Sequence, residues 1–310
     1  MDLEQLAVVL AIGLFNGLIV ALVAIGYTLV YGIIELINFA HGDVFMLGTM
    51  FTYFGLIVLL PLLGIAASSA PALIVVAFML PFVMGATAFI NASIERVAYR
   101  PLRNAPRLAP LISAIGMSFV LQNVGIVLLG PSPKAVPNVL PDHPIITLPS
   151  GRALVSFDEL AVAVVTIPLL LALAYFVTST RQGKAMRATA QDREAAGLMG
   201  IDVNRTITQT FLIGGALAGA AGLVVALFLG QTWWFFGFPF GLLAFTAAVF
   251  GGIGNITGAA VGGIVLGLVR AFSDSFLDQR WTNVIVFSIL ILVLVFRPTG
   301  LLGAKAAEGS

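Results

Sequence analysis

Cysteine is missing altogether, which excludes disulfides, thiolate catalysis and thiolate metal sites together. Charge is scarce as well: Asp, Glu, Lys and Arg make up 9% of the 310 residues, against roughly 25% in an ordinary soluble chain. With 60% of residues hydrophobic and a mean hydropathy of +1.08, the apolar side chains outnumber what a water-soluble core can hide. Only two histidines are present. There is no His-Glu-x-x-His, no Gly-x-Ser-x-Gly and no cluster of metal ligands, so an intramembrane protease or hydrolase has no support and neither metal nor cofactor is expected. A phosphate-cradling Gly-x-x-x-x-Gly-Lys-Ser/Thr loop is also lacking, since Gly183-Lys184 has no upstream glycine at the required spacing. The chain therefore does not power itself with nucleotide. Its net charge of +1 decides nothing about polyanions, and no nucleic-acid partner is expected.

What is present is a series of apolar runs. They cover residues 6–34, 44–63, 72–94, 108–129, 160–177 and 207–229, each close to the roughly 20 residues that span a bilayer as helix. Three shorter runs follow, at 240–253, 259–272 and 284–296. The expected fold is all-α, a single polytopic transmembrane helical bundle over residues 1–310 with about eight or nine spans, one late segment being a broken or half-helix packed against the others. Eleven of the 15 basic residues fall on one side: Arg96, Arg100, Arg103 and Arg107 after the third run, five within 181–205, then Arg297 and Lys305. Basic loops stay cytoplasmic, so nine crossings are expected, with the N-terminus outside and the C-terminus inside. Trp233, Trp234 and Trp281 then form an outer aromatic belt. No basic segment precedes the first run, which reads as a retained helix and not a cleaved signal.

Two polar stretches stand out. Residues 181–205 hold eight of the 29 charged residues. Within them Asp192 suits an N-cap, Glu194 a positive first turn and Gly200 a left-handed stop, so 192–200 is expected to be a very short helix. Ala195, Ala196 and Gly197 give it so little bulk that it suits a groove on another protein. Residues 35–43 include Glu35, Asn38, Phe39, His41, Gly42 and Asp43. As a plain turn at the membrane surface this run would be solvated. As the break in a discontinuous helix it would line a pathway near the midplane, where polar groups are expensive and must face a cavity or one another. Spacing alone leaves both readings open, and His41 satisfied by Asp43 or a carbonyl is a third.

Small residues recur every four positions at Gly214, Ala218 and Gly222, and at Gly254, Gly258 and Gly262, a stripe that lets helix backbones approach. Gly251 and Gly252 beside Gly254 exceed what packing needs, because glycine weakens a helix by about 1 kcal/mol relative to alanine. A break there is expected. Residues 130–159 carry six prolines, which forbids a helix and favours a stiff external loop, either a docking surface for a solute receptor or a compact linker.

Several of these segments together resemble one family. Gly26-Tyr-Thr-Leu-Val-Tyr-Gly32 leads to Asn38-Phe-Ala-His-Gly-Asp43; Gly183-Lys-Ala-Met-Arg-Ala188 precedes Asp192, Ala195, Ala196 and Gly200; Ala247-Ala-Val-Phe-Gly-Gly-Ile-Gly254 precedes Gly258 and Gly262; and Arg297-Pro-Thr-Gly-Leu-Leu-Gly303 closes the series. In order and spacing the chain resembles the LivH-type permeases of branched-chain amino acid ABC importers, with Arg297 departing from the less polar residue expected there. The resemblance implies an ABC importer permease fold in the cytoplasmic membrane. It also implies four partner subunits besides the lipid bilayer: a related LivM-type permease, two ABC ATPases and an extracytoplasmic solute-binding protein. The cytoplasmic loop 181–205, with Lys184, Arg187, Asp192, Glu194, Ala195, Ala196 and Gly200, corresponds to the segment that docks on the ATPase. Branched-chain or other apolar amino acids are the implied cargo, with urea, short amides or other amino acids as relatives' cargoes. Asn38, Phe39, His41 and Asp43, with Phe45 nearby, are the pathway candidates. From a different class, an ion-coupled secondary transporter would use Glu35, His41 and Asp43 as its ion site, yet leaves the charged block without a purpose.

Overall fold

The computed structural model describes residues 2–303 except Leu36, Asn104, Arg107, Asp142, Asp278 and Pro298. Arg107 and Lys305, two of the basic residues used for orientation, lie outside the described residues, as does Leu36 of the polar run. The long apolar runs become helices with little fraying. They are α1 (Leu3–Ile34), α2 (Ala40–Leu62), α3 (Ala70–Ile94) and α4 (Leu108–Leu129). After two-residue β1 (Lys134–Ala135) and the β2 (Pro144–Thr147) to β3 (Ala153–Ser156) hairpin comes α5 (Phe157–Ser179). The charged block forms α6 (Arg181–Gln191) and α7 (Arg193–Leu198), and α8 (Val203–Leu229) follows. The chain ends with β4 (Gln231–Thr232), α9 (Gly237–Gly251), α10 (Ile256–Phe276) and α11 (Gln279–Phe296). The protein is a polytopic helical membrane bundle, with eight helices long and apolar enough to cross a bilayer among the described residues.

The expected half-helix is α9. Its 15 residues extend about 22 Å, short of the ~30 Å hydrocarbon layer. The other two short runs lengthen into α10 and α11, because Thr257, Ser273, Thr282 and similar residues are tolerated inside helices that pack on neighbours. The break expected at the glycines separates α9 from α10. Gly252 and Gly254 adopt φ of 112° and 89°, conformations open to glycine, and Asn255 then caps α10 by accepting from the Gly258 N–H. The tail closes this turn: Leu301 and Leu302 N–H donate to the Phe250 and Gly251 carbonyls, and Asn255 Nδ2 donates to Leu302.

Small residues set the packing. Gly258 and Gly262 of α10 face Gly251 and Ala247 of α9, while Gly263 and Gly267 face Ala21 and Gly17 of α1 on the other side. Of the stripe expected at 254, 258 and 262, only Gly258 and Gly262 lie on α10, Gly254 belonging to the break before it; α10 also has a second, unforeseen small face, and α1 and α10 form the most extensive antiparallel pair in the fold. On α8, Gly214 meets Val30 and Gly26 of α1, and Gly222 meets Gly48 of α2.

Helix alternation gathers the C-terminal ends of α1, α3, α5, α9 and α11 with α6, α7 and the start of α8. This basic end is opposite the far end, where β1 pairs with β4 and where Trp233 and Trp234 both donate Nε1–H to the Pro131 carbonyl. Two sequence expectations are corrected. The described residues of 130–156 form no helix, 157–159 already belonging to α5, but they are not merely an extended loop: strands β1 to β3 lie within them and Val136, Val139 and Leu140 are buried. Arg96 and Arg100 are not loop residues either. Beyond Ile94, α3 continues as a π turn (Glu95–Tyr99) and a 3-10 turn (Arg100–Leu102), because the fully buried Glu95 carboxylate anchors the Arg100 and Arg103 guanidiniums to the helix end.

Candidate functional site

The polar run 35–43 is not a surface turn throughout: Glu35 is exposed, but residues 38–43 are buried or partly buried. Helix α1 stops at Ile34, with Glu35 at φ 56° donating its N–H to the Tyr31 carbonyl. The chain then turns back into the bundle, so α2 starts at depth. His41 lies against Gly26, eight residues before the end of α1. Asp43 accepts a hydrogen bond from Ser118 Oγ, halfway along α4, and Gln122 Nε2 donates to that Ser118 oxygen at 3.1 Å. At the same level begins α9, whose Gly237 would have any added methyl group 2.7 Å from the Asp43 Cα. Two helix N-termini therefore meet at Asp43, and both favour a negative charge there.

Asn38, His41 and Asp43 are all at most 1% exposed, and Phe39 is partly buried. Tyr99, on the π turn that ends α3, donates its hydroxyl to Asn38 Oδ1 at 2.7 Å. Among the described residues several polar atoms make no hydrogen bond of ordinary geometry: Thr28 Oγ1, Asn38 Nδ2, both His41 ring nitrogens and Asp43 Oδ1, although the Val23 carbonyl lies close to the His41 ring. His41 is thus not satisfied by Asp43. Its ring packs edge-on to Tyr27 at 4.7 Å, and Tyr27 and Phe39 both approach Phe245 of α9, at 6.3 and 6.4 Å. Phe45 is fully buried beside Phe240. Two cavities beside Tyr27 and Phe245 hold about 10 Å³ each, room for about one water molecule, so the middle of the bundle is closed in this conformer.

The basic end is different. Asp192 Oδ1 accepts from the Glu194 and Ala195 N–H groups at 2.8 and 2.9 Å, and Gly200 stops the helix at φ 82°, so 192–200 has the caps read from sequence. The helix α6 before it was not foreseen. It is polar on most of its circumference and buries only Gly183, Met186 and Thr189, a stripe at every third residue too narrow to mark it. Lys184 and Arg187 are on the outer side, Arg187 reaching the Val177 carbonyl. The small face of α7 is corrected in one respect: Ala196 turns inward and is buried by the protein's own chain, while Ala195 and Gly197 stay exposed. Sequence reasoning also passed over Leu198 and Met199, which are 85% and 83% exposed.

A cavity of about 400 Å³ lies behind α6 and α7, against the end of α1 and the start of α4. Arg193 Nη2 donates to the Ile33 carbonyl at 3.0 Å and so ties α7 to the end of α1. Arg103, which also lines the cavity, is held by Glu95 and donates Nη1–H to Asn204 at 2.5 Å. Burial disfavours the Arg103 charge, and the Glu95 carboxylate opposes that loss. The only sequence signal for this cluster is an acidic residue, Glu95, at the close of an apolar run and ahead of four arginines. No group of three or more His, Asp or Glu side chains among the described residues is placed to hold a metal ion.

A family model described as the permease component of branched-chain amino acid transport systems matches residues 9–295. The chain is 44% identical over 300 residues to the high-affinity branched-chain amino acid transport system permease protein BraD of Pseudomonas aeruginosa, covering 95% of this chain and 96% of that protein. It is 43% identical to the LivH permease protein of Salmonella typhimurium and 42% identical to that of Escherichia coli, each with the same coverage. No solved structure matches it.

Proposed function

The chain belongs to the family of branched-chain amino acid transport permease components, and from that premise we propose that it is the membrane-spanning subunit through which an ABC importer moves branched-chain or other apolar amino acids by alternating access. It is a transport permease component. In the proposed assembly a related second permease completes the membrane unit, two ATPases sit at the basic end and a solute-binding protein docks at the far end. The membrane is the cytoplasmic membrane, with the basic end inside. Movement of the ATPases reaches the bundle through α6 and α7, whose link to α1 runs through Arg193 and Ile33.

One observation carries the pathway assignment. Thr28, Asn38, His41 and Asp43 leave buried polar atoms unpaired at the meeting of two helix N-termini. Each such atom costs about 1–3 kcal/mol if nothing ever satisfies it. A zwitterion crossing the bundle supplies donors and acceptors of both kinds, and the aromatic rings of Tyr27, Phe39 and Phe245 offer its side chain an apolar surface. The closed centre supports a cycle in which another conformer opens it, driven by partners that bind the two states with different affinity. The ion-coupled reading would use the same orphaned atoms but gives the capped, exposed α7 nothing to do.

Uptake by the reconstituted transporter tests this. Asn38→Ala and His41→Ala, at unchanged expression, are expected to lower leucine uptake at least tenfold; normal uptake in both removes the pathway assignment. In the same assay Glu194→Arg is expected to leave ATP hydrolysis unlinked to transport or to release the ATPases, and full coupled uptake in that variant argues against the docking role of α7.

A further inference from the structure

The cavity of about 400 Å³ at the basic end adjoins the orphaned cluster at Tyr99, which lines it and also holds Asn38, but its charged groups belong to neither that cluster nor a salt-bridged lid. Among the described residues three charged side chains line it: Glu35, Arg103 and Arg193. Arg103 belongs to a cluster in which one carboxylate, Glu95, serves two guanidiniums, Arg100 and Arg103, so the cluster keeps one positive charge in excess. Arg193 adds a second, spending one donor on the Ile33 carbonyl. Against them stand Glu35, more than a third of its surface open, and the C-terminal carbonyl end of α1, which is the negative end of a helix dipole. Two lining residues carry buried polar atoms without partners, Thr189 Oγ1 and Arg103 Nε, and Thr189 is 1% exposed. Tyr31 and Ile34 supply an apolar part of the wall.

We propose that this cavity is an exit site that holds the zwitterionic amino acid after translocation, its carboxylate on Arg193 and Arg103 and its ammonium on Glu35 and the end of α1, with Tyr31 and Ile34 against the side chain. The proposal rests on the amino-acid permease reading and deepens it by adding a second binding station, one built from α6, α7 and the end of α1. Because Arg193 belongs to α7 and also holds Ile33, movement of α7 changes the site and the end of α1 together. Occupancy therefore opposes the next turnover, and substrate at the basic face slows the transporter that delivered it.

The test uses the full complex, permeases with ATPases and binding protein, in vesicles whose medium faces the basic end. L-leucine added to the medium is expected to slow binding-protein-stimulated ATP hydrolysis at least threefold in the millimolar range. Glu35→Gln and Arg193→Gln, each referred to its own uninhibited rate, are expected to raise the inhibitory concentration about tenfold, as loss of one charged hydrogen bond would. The probe 4-methylpentanoate, which is leucine without its amino group, is expected to inhibit weakly and to be indifferent to Glu35→Gln. If the complex turns over normally but leucine in the medium has no effect, the exit site is wrong and the permease reading stands. If inorganic phosphate and 4-methylpentanoate inhibit as strongly as leucine and Glu35→Gln changes nothing, the cavity is an anion site and the proposal is overturned. Failure of any amino acid to stimulate turnover from the far side would instead strike the permease reading itself.

Discussion

Residues 35–43 and 181–205 are the two polar interruptions of an otherwise apolar chain, and the fold treats them in opposite ways. The first is drawn into the bundle, where Asn38, His41 and Asp43 are buried with atoms left unpaired. The second stays at the surface and satisfies its helix ends: Thr180 caps α6, Asp192 caps α7 and Asp202 caps α8 through their side-chain oxygens. Capping lets short helices keep their shape without a core, which suits a part that another protein must grip. Unpaired buried groups do the reverse, since they destabilise the state that contains them and favour any state, or ligand, that pairs them. At its helix ends the second region is finished within the chain, although Thr189 Oγ1 is buried there without a partner, and the first is finished only by something else.

Between these regions lies Glu95, and it offers the largest test of the contrast. Its carboxylate is fully buried and holds Arg100 at 3.2 Å, the neighbouring Arg103, and the Thr208 hydroxyl at 2.9 Å. Glu95→Ala leaves guanidiniums uncompensated, Arg103 retaining only 13% of its side-chain exposure. Breaking a buried pair in this way costs about 3–5 kcal/mol. Thermal unfolding of the purified protein is expected to drop sharply, or the protein to fail to accumulate, whereas Glu194→Ala on exposed α7 should stay within about 0.5 kcal/mol of the parent. Equal melting of the two variants would remove the distinction between a buried and a displayed charge.

Asp43→Asn sharpens the same contrast from the other side. The amide oxygen still takes the Ser118 hydrogen bond, but an amino group replaces the unpaired oxygen and the negative charge that the α2 and α9 N-termini favour is no longer available. Stability is therefore expected to fall by no more than about 2 kcal/mol, while leucine uptake falls at least tenfold. A variant that melts lower and transports normally would mean that Asp43 serves only to anchor the α2 and α9 N-termini.

How legible these regions were follows from their surroundings. Run 108–129 became α4 with the same bounds, since apolar length alone fixes a span. Asp192 and Gly200 were legible because caps are local chemistry, decided within four residues. The depth of Asn38 and Asp43 was not, because a polar run between two apolar ones looks alike at the surface and at the midplane. What decides is Ser118 on α4, Gly237 on α9 and Tyr99 on the π turn, partners 75, 194 and 61 residues away from Asp43 or Asn38 in sequence. The π turn escaped notice for a related reason: Glu95 and Arg96 read as the start of a loop until Arg103 and Thr208 close around the carboxylate. In residues 130–159 the prolines hid β1, whose pairing with β4 is again long-range, and the local hairpin of β2 and β3.

The smallest expected effect on stability is at Leu198 and Met199. Both are more than 80% exposed at the end of α7, where neither fills a core nor caps a helix through its side chain. Replacing both with serine removes apolar area that water already touches, so unfolding should move by no more than about 0.5 kcal/mol. If α7 is the part that an ATPase holds, those two side chains are its apolar contact, and burying them there would contribute about 1.5–3 kcal/mol apiece. Leu198→Ser with Met199→Ser should then leave the melting curve in place while co-purification of the ATPases falls at least tenfold. Retention of the ATPases would shift the grip to Lys184, Arg187 and Glu194, the charged face of the same block, and a lowered melting curve would mean that α7 is finished by its own chain less completely than its caps imply.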